Sequence, residues 1–264
     1  MTKQTLSLFI LLSSTACIQN TYEYPDCDTQ TTDDITDSSD IPTPSQDLED
    51  DTESSGSNTD TSTETESTEE FAKAVQYFFD DAESLLYVQV YKDPNALGSG
   101  LAHNHVMRAT NWTGDVTYNR DYIEDCEMNF ALPVYDLAVD EDAMRDLVGY
   151  GDTINSGDRA TIREHMLDSN QLNATQYESI WFESVSCQEQ NGSLVVTGDM
   201  FIAGTTREMD ITINFSANED TFYMSGVIDF THADFNITPY EAFWGAVRNS
   251  EPLKISFDMV GFAG

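Results

Sequence analysis

The residues in this chain best suited to metal chemistry are histidines. His103 and His105 are two positions apart, so in a β-strand their imidazoles would lie on the same side, and His165 follows in a later segment. Three histidines can hold a catalytic zinc ion. Strand-end histidines hydrogen-bonded to the backbone would give the same pattern, and we favour this simpler interpretation. The sequence therefore predicts no metal site and no cofactor, with His103 and His105 as the residues to test.

Motifs of the common enzyme classes are missing from the sequence. It contains no G-x-S-x-G, no P-loop, no H-E-x-x-H and no C-x-x-C. Neighbouring acidic residues do not identify a general acid and base, because the chain has 48 Asp and Glu against 11 Lys and Arg. We therefore predict a protein that is not an enzyme.

Residues 1–16 have the pattern of a signal peptide. Lys3 supplies the positive start, and the apolar run over residues 6–12 is far too short to cross a bilayer. The small residues Ser14, Thr15 and Ala16 then precede Cys17, as they would at a cleavage site. We therefore expect the protein to be exported to the cell envelope.

The residues around Cys17 resemble a lipobox, in which the cysteine thiol is acylated and becomes the first mature residue. Ser14 stands where Leu is usual, and Ser14 with Ala16 also suits an ordinary secretory cut, so both lipidation and simple secretion are open. Several acyl chains on Cys17 would anchor the protein stably. Ile18, in place of Asp, then points to the outer membrane, with the protein facing the periplasm or the cell surface.

Residues 17–70 are predicted to form an acidic, Ser- and Thr-rich disordered tether. Residues 20–70 contain 17 Asp and Glu, no Lys or Arg, and few apolar residues. Such a segment cannot bury enough surface to offset its chain entropy. Residues 71–264 are then the folded domain, with 31 acidic and 10 basic residues. This balance excludes a nucleic-acid partner and disfavours adsorption to anionic lipid head groups.

The folded domain has the pattern of an antiparallel β-barrel. From residue 85, apolar and polar residues alternate with a period of two over about eight strands, and Asn191-Gly192 is a strong signal for a two-residue hairpin. Gly204-Thr205-Thr206 predicts a second tight connection. Helical patterns over residues 140–148 and 158–167, the second capped by Ser156, predict a helical insertion at about 137–172. A meander of this length closes most naturally into a barrel, which removes its exposed edges.

Four cysteines have to be placed in this scheme: Cys17, Cys27, Cys126 and Cys187. A disulfide between Cys126 and Cys187 is the simplest arrangement, since both lie in the folded region of an exported chain. Strict alternation puts them on opposite faces, so this pairing requires a bulge or a strand twist. Cys27 is left unpaired if Cys17 is acylated, whereas a Cys17–Cys27 bridge is possible if it is not.

The inward-facing residues are the candidates for a ligand site in the barrel. An eight-stranded barrel either packs solid or holds one small ligand. The alternation by itself favours side chains that simply pack against one another. The candidates are Met128, Phe130, Leu132, Ile180, Phe182, Val196, Met200, Ile202 and Ile211.

Several stretches of the chain together resemble the YceI-like domains, which are lipocalin-like barrels associated with polyisoprenoid and lipid binding. The most specific is residues 197–207, TGDMFIAGTTR. Glu178 and Asn236 depart from the family pattern, where Pro and Gly are usual. The resemblance covers residues 80–262, and its other segments are residues 81–92, 101–105, 112–116, 163–167, 177–184 and 234–237.

The resemblance implies a hollow barrel that binds an apolar chain, such as a polyisoprenoid or a fatty acyl group. Alternation alone favours a barrel interior that packs solid, whereas the resemblance favours one that holds a ligand. The leading hypothesis is therefore non-catalytic lipid binding or carriage in the envelope. Two alternatives stay open. One is a metal-binding envelope protein that uses His103 and His105, and the other is a surface module with a filled barrel that binds an unknown protein partner.

Overall fold

The computed structural model describes residues 73–264. The predicted signal peptide (1–16) and tether (17–70), together with Cys17 and Cys27, lie outside the described residues. Among residues 73–264, no helix is long and apolar enough to cross a membrane.

The described residues form twelve strands and two α-helices. The helices are α1 (Asp142–Leu147) and α2 (Ser156–Leu167). The strands are β1 (Val75–Phe79), β2 (Leu85–Lys92), β3 (His105–Ala109), β4 (Thr113–Tyr118), β5 (Glu127–Pro133), β6 (Leu137–Val139), β7 (Ser179–Gln190), β8 (Ser193–Ile202), β9 (Thr205–Ala217), β10 (Thr221–Thr231), β11 (Glu241–Ala242) and β12 (Val247–Ala263).

The sheet is a closed antiparallel barrel of eight strands, as predicted. Its strand order is β1-β4-β5-β7-β8-β9-β10-β12, and β12 returns to pair with β1. β12 is long enough to pair with β10 along one edge and with both β1 and β2 along the other. β2, β3 and β6 continue the sheet beyond β12 at one end of the barrel. We call the end that carries β3, β6 and the two helices the upper end.

Strand β8 shows how the alternation builds the barrel wall. Every second residue from Leu194 to Ile202 is buried, and the residues between them are partly exposed. The hairpin before β8 turns through Asn191 and Gly192, whose φ angles of 55° and 82° suit a type I′ turn. The connection after β8 is Ala203-Gly204, with φ of 49° and 86°. Placing it at Gly204-Thr205-Thr206 was therefore wrong by one residue, because both threonines already pair in β9.

The helical insertion contains a short strand as well as the two helices. β6 pairs with β3 before the chain enters α1. Helix α2 begins at Ser156, and its N-cap is Asn155, whose Oδ1 accepts hydrogen bonds from the N–H groups of Gly157 (2.9 Å) and Asp158 (3.0 Å). The assignment of Ser156 as the cap was wrong by one residue, because Ser156 already belongs to the helix and the side chain of Asn155 accepts the free N–H groups of the first turn.

The end of the barrel opposite the helices is filled. A disulfide joins Cys126 to Cys187, with 5.8 Å between their Cα atoms. The β7–β8 register shifts between Ser184 and Ser186, and this irregularity turns Cys187 to the same buried side as Phe182. Aromatic rings pack beside the disulfide, among them Tyr77, Tyr118, Phe215 and Phe222.

Removing the disulfide is expected to destabilise the barrel without changing its topology. Cys126 and Cys187 are separated by 61 residues, and a cross-link closing a loop of that size contributes about 4 kcal/mol by restricting the unfolded chain. Urea unfolding of the Cys126→Ala/Cys187→Ala variant should show a loss of this order. Cys27→Ala is the matched control and should unfold like the unmodified protein. An equal loss in both variants would contradict the assignment.

Candidate functional site

A cavity of about 260 Å³ occupies the barrel above the filled end. Eight of the nine predicted ligand residues line it: Met128, Phe130, Leu132, Ile180, Phe182, Met200, Ile202 and Ile211. Val196 does not line it. This residue is fully buried and pairs with Cys187, so it belongs to the filled end. Alternation identifies the inward face of a strand but not the depth of a residue along the barrel axis.

Further cavity residues lie on β2, β3, β9, β10 and β12, of which only β9 supplied a predicted candidate, Ile211. They include Val88, Val90, Met107, Ala109, Ile213, Met224, Ile228, Phe257 and Met259. On β10 the alternation would have identified them, because Met224 and Ile228 each follow an exposed residue. On β2 it would not, because the consecutive residues 86–88 all line the cavity.

The predicted helical insertion covers the upper end of the cavity. Ile162, His165 and Met166 of α2 line the cavity, and Leu172 follows from the segment after the helix. None of the residues of α2 is fully buried. The helix therefore acts as a cover that lies across the opening, with its other face towards solvent.

Polar groups that line the cavity are concentrated at this upper end. The His165 ring packs against Tyr240 at a centroid distance of 4.8 Å. The Nδ1–H of His232 donates to the carbonyl of Glu251 (3.0 Å), and burial lowers the pKa of His232, which favours the neutral ring. The full set of these polar lining residues at the upper end is His105, His165, Gln171, His232, Tyr240 and Asn249.

His105 is held by a buried acidic residue. Its Nδ1 lies 2.7 Å from Oδ2 of Asp140, whose other oxygen accepts from the N–H of Val106 (3.0 Å) and from Arg145 (2.7 Å). Asp140 is fully buried, and its φ of 49° places it in the left-handed region. Burial would raise the pKa of Asp140, but the hydrogen bonds and charge of His105, the Val106 N–H and Arg145 outweigh it and lower the pKa.

Arg145 completes this network. Its side chain is almost wholly buried, and it donates to the carbonyls of Asn104 (2.8 Å) and Asp152 (2.9 Å) as well as to Asp140. Its third nitrogen, Nη2, contacts the carboxylate of Asp152, which also contacts His103. Buried charges persist when they are paired and hydrogen-bonded in this way.

The histidine interpretation from the sequence was wrong about the bonding partners. His103 and His105 contact the carboxylates of Asp152 and Asp140, not backbone groups. His103 also precedes β3, so the two residues are not on one strand. His165 packs on Tyr240 instead of joining them. Among residues 73–264, no group of three or more His, Cys, Asp or Glu side chains is arranged to hold a metal ion.

Replacing Asp140 is expected to destabilise the upper end and to alter its acid sensitivity. Asp140→Asn removes the buried one of the two carboxylates that pair with Arg145 and leaves only the half-exposed Asp152, which costs up to about 3 kcal/mol. The pKa of Asp140 is lowered from 3.8, so its stabilisation is present above that pH and is lost as the pH falls through the lower folded-state pKa. Urea midpoints should therefore fall more steeply below pH 4 in the unmodified protein than in Asp140→Asn.

The exposed acid Asp229 provides the control for this comparison. Asp229→Asn should keep both the stability and the acid profile of the unmodified protein. If Asp140→Asn gave the same acid profile as Asp229→Asn, the buried network would not contribute as described.

Comparison with known proteins gives a consistent picture of this barrel. The chain is similar to BcnA of Burkholderia cenocepacia, with a TM-score of 0.51 and 15% identity over 69% of this chain and 98% of that one. It is also similar to a Campylobacter jejuni YceI protein, with a TM-score of 0.43 and 11% identity over 59% of this chain and 83% of that one. No curated protein matches.

The likeness to BcnA concerns the fold alone, and the sequence supplies the family. The profile of the YceI-like domain matches residues 89–260, which is most of the chain. The chain therefore belongs to the YceI-like domain family, whose barrels bind apolar ligands.

Proposed function

We propose that this protein binds and carries an apolar, lipid-like molecule, a polyisoprenoid or a fatty acyl chain, inside its barrel in the cell envelope, without catalysis. The observation that carries the proposal is the cavity of about 260 Å³ with walls of Met, Leu, Ile, Val and Phe side chains. Ligand pockets of this kind are mostly apolar, with a few polar groups that fix orientation.

The size of the cavity favours one slender chain. Pockets for drug-sized ligands span about 300–1,000 Å³, so this cavity of about 260 Å³ is slightly smaller than that range. Each buried CH₂ group of a ligand contributes about 0.8 kcal/mol. Met128, Met200 and Met224 line the cavity, and unbranched methionine side chains adapt to irregular apolar ligands.

The polar upper end suits the end group of such a chain. The carboxylate of Asp140 holds Nδ1 of His105, so Nε2 is the ring atom left to hydrogen-bond with a polar end group of the cargo. Tyr240 and Asn249 lie at the same end of the cavity. We infer that the apolar tail points towards the filled end and the polar head stays beneath α2.

The two alternative functions have weaker support. A protein-interaction module was expected to have a filled barrel, whereas this barrel holds a cavity. A metal site on His103 and His105 would have to compete with the carboxylate partners of both rings.

The envelope location is part of the proposal. Residues 1–16 would direct export, acylation of Cys17 would anchor the chain to the outer membrane, and the acidic segment up to residue 70 would hold the barrel at a distance from the anchor. About 50 residues of flexible chain span about 40 Å on average. The barrel could then exchange cargo near a membrane without being embedded in it.

Filling the cavity should weaken cargo binding. Ile228 points into the barrel and its neighbour Val227 points outward, with exposures of 8% and 51%. We expect Ile228→Trp to bind a polyprenyl probe at least about tenfold more weakly, a change of about 1.4 kcal/mol, whereas Val227→Trp should bind normally. The measurements are mass spectrometry of lipids extracted from the purified protein and displacement of the probe.

The stability of both variants has to be checked alongside binding. A larger side chain in a packed core costs about 1–3 kcal/mol, so Ile228→Trp should remain folded in an unfolding assay. Absence of any enriched apolar species from the unmodified protein, together with no binding of the probe, would refute the proposed function.

Lipidation is tested separately at the N-terminus. In the exported protein, Cys17 should incorporate a labelled fatty acid and the chain should fractionate with membranes. Cys17→Ser should lose the label and move to the soluble fraction. Cys27→Ser is the matched control, since it also removes one cysteine of this segment but should leave label and fractionation unchanged. An unlabelled, soluble unmodified protein would indicate simple secretion.

A further inference from the structure

Two loops at the upper end of the barrel carry large apolar side chains that face solvent. One loop joins β2 to β3, and the other is the tip of the β11–β12 hairpin. Their exposed side chains are Leu97 (99%), Leu101 (78%), Phe243 (73%) and Trp244 (102%). The N–H of Gly98 donates to the carbonyl of Ala246 at 2.7 Å, so the loops lie side by side. We call these four residues the rim patch.

The backbone of the hairpin tip holds its aromatic residues in an unfavourable conformation. Phe243 and Trp244 have φ angles of 51° and 57°, followed by Gly245 at 80°. Bulky residues rarely adopt positive φ, whereas Asn and Gly do so readily. Neither aromatic side chain recovers this cost by burial in the barrel, since both are exposed. Backbone strain that no burial within the barrel offsets indicates that these two side chains contact something outside this protein.

The rim patch is uncharged, in contrast to the rest of the folded part. Residues 94–102 and 242–247 contain no Asp, Glu, Lys or Arg, although residues 71–264 contain 31 acidic and 10 basic residues. At the base of the two loops, Asp93 is paired with Arg248, whose Nε lies 2.7 Å from its carboxylate. The exposed Glu241 borders the patch, with its carboxylate beside Gly245. Contact with another surface through the four apolar side chains would leave the remaining acidic faces of the barrel in water.

The rim patch is continuous with the cavity. The hairpin that carries Phe243 and Trp244 runs between Tyr240 and Asn249, both of which line the cavity. The N–H of Asn249 donates to the carbonyl of Tyr240 at 2.9 Å, and this bond closes the base of the hairpin. Apolar side chains thus extend from beside the cavity opening out to solvent.

We infer that the rim patch inserts into the surface of a zwitterionic phospholipid bilayer and holds the opening of the cavity against it. The inference rests on the proposed function, because an apolar cargo chain would then pass between bilayer and barrel without crossing water. Exposed apolar patches mark interaction sites, and Trp is favoured at the membrane–water interface. The acidic folded part selects a zwitterionic surface over an anionic one.

The test compares vesicle binding by rim variants of the whole chain. All variants carry Cys17→Ser, so that no acyl group can hold the protein on a vesicle, and they share the same N-terminal segment. The variant Phe243→Asn/Trp244→Asn removes both aromatic side chains. It puts Asn, a residue that adopts positive φ readily, at both positions. It should therefore fold at least as stably as the unmodified protein.

Flotation with phosphatidylcholine vesicles should show binding by the parent chain and at least about tenfold weaker binding by Phe243→Asn/Trp244→Asn, as expected for the loss of two large apolar groups. Trp fluorescence of the parent should shift to shorter wavelength on these vesicles, since Trp244 is fully exposed in water. The control Val185→Asn/Tyr223→Asn removes exposed apolar residues elsewhere on the barrel and should bind like the parent.

Three results would overturn the inference: equal binding by the parent and Phe243→Asn/Trp244→Asn, stronger binding to equimolar phosphatidylcholine–phosphatidylglycerol vesicles, or a dimer that depends on Trp244. The last would identify a second copy as the occupant. Cargo content separates this inference from the proposed function. Ile228→Trp should bind vesicles but carry much less lipid than the parent, and Phe243→Asn/Trp244→Asn should keep cargo acquired during expression.

Discussion

Closure of the sheet through β12 is the constraint on which the rest of the structure depends. This strand of 17 residues pairs with β10 on one side and with β1 and β2 on the other. Closure leaves no free edge along the ring and forces every second residue into a shared interior. Gly198 and Gly226 fit this interior, because a Cβ on either would lie about 2.5 Å from the ring of Phe182 or Phe257. The rings can lie across neighbouring strands only where these glycines leave space.

The two ends of the barrel interior differ in their side chains: one end is filled, and the other surrounds the cavity. At the filled end, Tyr77, Tyr118, Phe215 and Phe222 stack near the Cys126–Cys187 disulfide, so the narrow volume is taken up by rings. Towards the upper end the walls are mainly aliphatic, and α2 spans the opening. Aromatic rings, among them Phe130, Phe182 and Phe257, also line the cavity. The filled end differs because its four rings pack against one another beside the disulfide.

Sequence reasoning recovered what repeated alternation encodes and missed what depends on distant partners. The long strands such as β8, and the Asn191-Gly192 turn before it, follow from local pattern. β6, with three residues, has no pattern of its own and exists because β3 pairs with it. The partners of His103 and His105 are 49 and 35 residues away, so no spacing rule could identify them. The sequence predicted that a bulge or twist must bring Cys187 to the same face as Cys126. It did not predict that the irregularity lies at residues 184–186, because that position depends on the pairing of β7 with β8.

The buried Arg145 links the parts of the upper end that the proposed function uses. Its guanidinium contacts Asp140, which fixes His105 at the cavity, and the carbonyl of Asn104, which follows the loop bearing Leu101. It also contacts Asp152, in the segment between α1 and α2. The Arg145 side chain therefore connects the polar end of the cavity, the loop that carries part of the rim patch, and the segment that leads into α2. Because a buried, paired charge cannot shift without losing several hydrogen bonds, these parts of the upper end are held in one arrangement around the cavity.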